Sequence, residues 1–188
     1  MKRTITTFAF IFSALLIMAE GHMTFKGIEI DGKLPDVVKQ LEGKGYTKVS
    51  MENGIAMMLG TFTGQSVVLG VYTTPVTKTV SRITVIYPEG GNSWTILSNQ
   101  YEGLKERLTN KYGEPDEVIE KFDAPYSITS HPLMAFELEK ATYRTHFKSE
   151  NGGVTLSIIH YQMVTAVCLL YWDKENEAKM NAELEDEL

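Results

Sequence analysis

Between Asn92 and Pro115 the chain spells out a complete helix, with its start, its apolar stripe and its stop all specified. Asn92 and Ser93 carry side-chain oxygens that accept from the orphan N–H groups of a first turn. Trp94, Leu97, Tyr101, Leu104 and Leu108 then recur at steps of three and four, which puts them on one face, with Trp94 and Tyr101 as the largest surfaces to bury. Lys111 falls in the last turn, Gly113 supplies a left-handed C′ residue and Pro115 forbids continuation. A helix with one apolar stripe must lie on another layer, so the flanking chain has to provide a sheet.

The flanks read that way. Phe25 to Ile30 is a short strand, and Pro35 at a first helical position opens a helix with Leu34, Val37, Val38 and Leu41 on one side, ended by Gly43 and Gly45. Four strand-like runs follow: Thr47 to Glu52, Ile55 to Thr63, Ser66 to Thr74 and Val80 to Tyr87. Gly64-Gln65 reads as a type II′ turn, which pairs Phe62 with Val67 and Met58 with Val71 and leaves Thr61, Ser66 and Tyr72 on the opposite side. Beyond the organising helix come Glu117 to Phe122, Lys140 to Lys148, Val154 to Tyr161 and Val164 to Trp172. Asn151-Gly152 predicts a type I′ hairpin that pairs Phe147 with Leu156 and Thr145 with Ile158, and sends Arg144, His146, Thr155 and Ser157 to the other face.

The order helix then four strands therefore occurs twice. Gly60-Thr61-Phe62 falls on Thr145-His146-Phe147, and Ile86-Tyr87 on Leu170-Tyr171. The expected fold is α+β, two tandem repeats of a helix packed on a four-stranded antiparallel sheet. The halves are 22–91 and 92–172, and they differ chiefly in an insertion from Asp123 to Glu139 that carries Pro125, Pro132 and Tyr126. An insertion of that length is expected to be functional. This plan resembles the tandem α/β modules of the β-lactamase inhibitor proteins and of small exported bacterial proteins built alike, with Lys111-Tyr112-Gly113-Glu114-Pro115 as the best local match. That family carries disulfides in its modules, whereas this chain has the single cysteine Cys168, so the resemblance implies architecture and no contact residues.

Residues 1–21 read as a secretory signal peptide: Lys2 and Arg3, an apolar run from Thr4 to Met18, and Ala19-Glu20-Gly21 as a small-residue cleavage site. The expected product is secreted or periplasmic and not stably inserted in a membrane. With one cysteine, the fold rests on packing rather than disulfides, and Cys168 is expected to be a buried, inert thiol beside Val164, Ala166, Leu170 and Trp172. Residues 173–188 form an acidic tail or helix with Met180, Leu184 and Leu188 at four-residue spacing, expected to fray because its acidic end opposes the helix dipole.

A formal net charge of −6 without clustered Lys and Arg argues against a nucleic-acid partner. The histidines His22, His131, His146 and His160 share no ligand spacing, and the hairpin register puts His146 and His160 on opposite faces, so no metal site is expected. No Gly-x-Ser-x-Gly elbow, nucleophilic cysteine or phosphate loop is present, no catalytic residue is assigned and no cofactor is called for. Glu137 and Glu139 read as a solvated strand edge. What remains is surface. Tyr72, Arg82, Arg144, His146, Ser157 and Tyr161, beside Thr84, fall on the side of the strands away from the core, and Tyr126 sits in the insertion. Aromatic and Arg side chains on a rigid sheet suit recognition, so the expectation is a non-enzymatic module binding a protein or other macromolecule through a sheet face and the 123–139 insertion, its oligomeric state open. The alternative is a hydrolase or isomerase with its site in a cleft between the halves.

Overall fold

The computed structural model describes residues 21–161 and 163–185; the expected signal peptide, 1–21, lies outside the described residues but for Gly21, as do the last three residues of the tail. Two short strands, β1 (Thr24–Phe25) and β2 (Ile28–Glu29), precede α1 (Leu34–Glu42) and then β3 (Thr47–Glu52), β4 (Ile55–Phe62), β5 (Gln65–Thr73) and β6 (Val80–Tyr87). The organising helix is α2 (Trp94–Tyr112), with the Ser93 side chain accepting from the Ile96 N–H and Gly113 at φ 86 closing it. There follow β7 (Glu117–Phe122), α3 (Pro132–Glu137), β8 (Ala141–Ser149), β9 (Gly152–Tyr161), β10 (Val164–Asp173) and α4 (Lys174–Glu185).

The strands do not make two sheets. They form one antiparallel eight-stranded sheet in the order β3-β4-β5-β6-β10-β9-β8-β7, and β1 and β2 pair apart from it. The seam is the β6–β10 ladder, from Val167 opposite Tyr87 to Trp172 opposite Arg82. Local periodicity cannot reveal such a join: each four-stranded half ends in an apolar strand whose outer N–H and C=O groups need partners, and pairing the two edges satisfies both.

Both hairpins slip by two residues from the expected register. In the first, Phe62 lies opposite Gln65 and Gly60 opposite Val67. The turn is Thr63-Gly64 with φ of 52 and 83, the two positive values of type I′. In the second, Ser149 faces Gly152 and Phe147 faces Val154, so the turn is Glu150-Asn151. Gly152 serves instead as a point of close approach, because a Cβ there would lie 2.1 Å from the Trp172 carbonyl oxygen. A shift of two keeps every side chain on its expected face.

One face of the sheet carries α1 and α2. Beneath them lie Val71, Ile83, Val85, Leu156, Val167 and Leu169, all buried, against Val37 and Leu41 of α1 and Leu97, Tyr101 and Leu108 of α2. Tyr101 is fully buried and its hydroxyl lies 2.6 Å from that of Thr145. Trp94 is only half-buried, at the helix start, where α3 completes its cover: the Phe136 ring stacks on it at 5.9 Å, and Phe122 and Tyr143 meet it edge-on. The insertion thus closes the core on the helix-bearing side, and Glu137 and Glu139 sit at the end of α3 and in the following loop rather than on a strand edge.

The acidic tail is docked rather than loose. The Asp173 carboxylate, 1% exposed, accepts from the backbone N–H groups of Met23 and Asn176 and lies 3.1 Å from His22 Nδ1. Asn176, also buried, donates to the carbonyls of Ile30 and Val80 and to Asp31. Farther along α4, Glu183 accepts from the N–H groups of Val76 and Thr77. Partial burial disfavours charge on His22, but its hydrogen bond to Asp173 and the fields of Asp173, Asp31 and Glu175 outweigh this and raise its pKa above 6.5. Burial also opposes charge on Asp31, yet hydrogen bonds from Asn176 and Gly32 and the nearness of His22 and Lys179 hold it below 3.8.

Two outcomes follow from this packing. Thr145→Val leaves the Tyr101 hydroxyl buried without a partner and should cost about 1–3 kcal/mol in denaturant unfolding, much of it recovered by adding Tyr101→Phe. For the N-terminal tie, a raised folded pKa means that protonated His22 stabilises below pH 6.5 and that this contribution fades as pH rises through the folded value. Urea midpoints of the native chain and His22→Asn should therefore differ at pH 5.5 and converge by about pH 9. Equal differences at both pH values would show that the His22 charge contributes nothing.

Candidate functional site: the helix-free sheet face

In β4 and β5 apolar residues occupy successive positions, as in Ile55-Ala56-Met57-Met58-Leu59 and Val67-Val68-Leu69, so that both faces of these strands carry apolar side chains. Ala56 and Met58 go to the helix-covered core, while Ile55, Met57 and Leu59 emerge on the other face, where Ile55 is 38% and Leu59 50% exposed. The cross-strand partners continue that second face. Gly70 lies between Met57 and Thr84, and Val68 between Leu59 and Ile86. Across the seam, Ile86 is opposite Cys168 and Thr84 opposite Leu170.

Of these, Ile55, Met57, Thr84, Ile86 and Cys168 line a groove of about 760 Å³, in the size range of ligand sites. Its floor runs from Met57 through Ile86 to Cys168 and Ile159, and Ser50, Glu52 and Asn53 form one rim. Tyr72 reaches back over Gly70: a Cβ on that glycine would lie 2.7 Å from the Tyr72 hydroxyl and 2.6 Å from Thr84 Oγ1. Glycine at this position is what lets the ring lie flat along the strand. Tyr161, 66% exposed, stands at the far end. Cys168 is buried in the floor with Ala166, Leu170 and Trp172 on its own face, and burial pushes its thiol up to about 12, away from thiolate chemistry.

The register places Tyr72, Arg82, Arg144, His146, Ser157 and Tyr161 together on this helix-free face. Only Tyr72 and Tyr161 line the groove. Arg82 is held by a two-pronged ion pair with Glu177 of α4, and Arg144 pairs with Glu117 at 3.1 Å. His146 shares a hydrogen bond with Thr155 at 2.9 Å and stacks on Trp172 at 5.9 Å, over Gly153. Ser157 lies between Arg144 and Cys168. Tyr126 is not brought to them: it is half-buried in the insertion, whose helix packs on the opposite side of the sheet. The insertion and the open face therefore do not form one surface.

The apolar floor and the Ser50-Glu52-Asn53 rim were missed by reading only polar and aromatic residues as recognition material. Their signal was present in the apolar runs of β4 and β5, since a strand apolar on both sides requires a second cover. His146 and His160 do face opposite sides; His160 bonds Thr165, 2.9 Å away, on the helix-bearing side. Among the described residues no group of three His, Cys, Asp or Glu side chains converges as a metal site, and no helix is long and apolar enough to cross a membrane. At the boundary between the halves the β6–β10 ladder is continuous, and the groove over it takes lining residues from both sides, Ile86 from one and Ile159 and Cys168 from the other. Compared with protein families, with curated proteins and with solved structures, the chain finds no match.

Native-state labelling of Cys168 with an aromatic disulfide reagent should be slow at pH 8 and become fast once the chain is unfolded. Rapid stoichiometric labelling of the folded protein would mean that the groove floor opens to solvent.

Proposed function

We propose that the protein is a secreted or periplasmic, non-enzymatic binding module that takes a protein partner on its helix-free sheet face. The carrying observation is the groove over the seam: Met57, Ile86 and Ile159 in its floor, with Ile55, Leu59 and Tyr161 standing exposed around it. A contiguous apolar patch on a rigid sheet is costly to leave in water and marks an interaction site. The arginines beside it are already neutralised by Glu177 and Glu117, which suits a protein partner better than a polyanion.

The chain is further read as two tandem repeats fused by their last strands, on the plan that resembles the β-lactamase inhibitor modules. The strand order 3-4-5-6-10-9-8-7 is symmetric about its centre under such a duplication. The correspondence that lays Ile86-Tyr87 on Leu170-Tyr171 also lays Val85 on Leu169, and those two residues are direct partners in the seam. Equivalent strands meeting at equivalent positions is the signature of a two-fold relation.

The test is affinity capture from the exported fraction of the source cells with the chain from His22 onward, its Ile55→Asp variant, and Glu106→Ala on exposed helix surface. A partner retained by the native chain and Glu106→Ala but lost with Ile55→Asp supports the open face. Capture that ignores Ile55→Asp while Glu106→Ala weakens it would move the site to the helices.

A further inference from the structure

Resting on the reading of the open face as a binding surface, we infer that the groove receives an extended apolar peptide segment that carries one basic residue, seated against Glu52. Three observations lead there. First, the groove has Met57, Ile86, Ile159 and Cys168 along its floor and a volume of about 760 Å³ that fits a short segment rather than a folded surface. Second, its wall is dotted with hydrogen-bonding groups. The side chains of Ser50, Asn53 and Tyr72 make no hydrogen bond to another described residue, and Thr84 makes only a long one, 3.4 Å, to the Gly70 carbonyl. An alkyl chain would strip water from these groups and return nothing, whereas a peptide backbone offers a donor and an acceptor at every residue.

Third, the charges select the sign. Glu52 is the only Asp, Glu, Lys or Arg among the groove-lining residues and has no ion-pair partner among the described residues. Arg82 and Arg144 on the same face are bound to Glu177 and Glu117. An unpaired carboxylate on the rim of an apolar groove attracts a Lys or Arg side chain and repels an acidic one. The alternation of a strand matches the layout: side chains on one edge of an extended segment point into the floor between Met57 and Ile86 while those on the other edge face water.

Two fluorescein-labelled peptides test this, each with the same stretch of alternating leucine and serine and differing only in a lysine or a glutamate at both ends. Fluorescence anisotropy at low salt should show saturable binding of the lysine peptide about fivefold tighter than the glutamate peptide, a preference that shrinks in 1 M salt. Glu52→Lys should reverse the order, and Ile55→Asp, a half-exposed position that leaves the core intact, should weaken both. Circular dichroism melts establish that each variant is folded. Equal binding of the two peptides, or an order unchanged by Glu52→Lys, overturns the inference. So does binding of dodecanoate with neither peptide bound, which would assign the groove to an alkyl chain. A partner captured through the open face in the presence of these negatives leaves the binding-module reading standing and removes only the peptide assignment.

Discussion

The hydrogen-bonded seam between β6 and β10 is the contact on which the rest of this structure depends. Each half alone would present a long apolar edge strand, a template for uncontrolled pairing, over a core covered by one helix. Joined edge to edge, the halves share a continuous hydrophobic layer in which Ile83, Val85 and Tyr87 of one pack beside Val167, Leu169 and Tyr171 of the other. Protection of the edge and enlargement of the core are thus one event. They explain how a chain with a single, buried cysteine stands without covalent ties.

Because both principal helices lie on the same side, the seam also creates the opposite face as an unbroken surface of eight strands. Its ends are treated differently from its middle. At one end α4 reaches across with Glu177 on Arg82, and His146 stacks on Trp172, so that polar and aromatic groups there are satisfied within the chain. In the middle, around Met57, Ile86 and Cys168, nothing of the described chain covers the floor. Beside this strip Ile55 and Leu59 stand exposed, 38% and 50%, which extends the apolar surface of the floor.

The first and last described segments are tied together by polar chemistry. In α4 the buried residue is Asn176, whose amide ties Ile30, Asp31 and Val80, while Asp173 beneath it gathers Met23 and His22. Such a network is strong only when every member is paired. That condition makes the first and last described segments of the chain depend on one another.

The apolar faces of α1 and α2 and the side of the sheet taken by the strand residues were set by local sequence, because a period of 3.6 or 2 specifies them without reference to distant chain. Hence Tyr72, Arg82, Arg144, His146, Ser157 and Tyr161 share a face as their parity required, even though both hairpins are displaced by two residues. By contrast, α3 arises inside the insertion, and α4 buries Asn176 in place of the Met180 and Leu184 stripe. The exact turns differ from the local signals: Gly152 begins β9 opposite Ser149, close under the Trp172 carbonyl, and Thr63 and Gly64 both take positive φ. The single sheet, the placement of the insertion over Trp94, the capture of Arg82 by Glu177 and the apolar groove itself were decided only by the fold. Each of these joins residues tens of positions apart, and no local period records which edge, helix or loop will meet another.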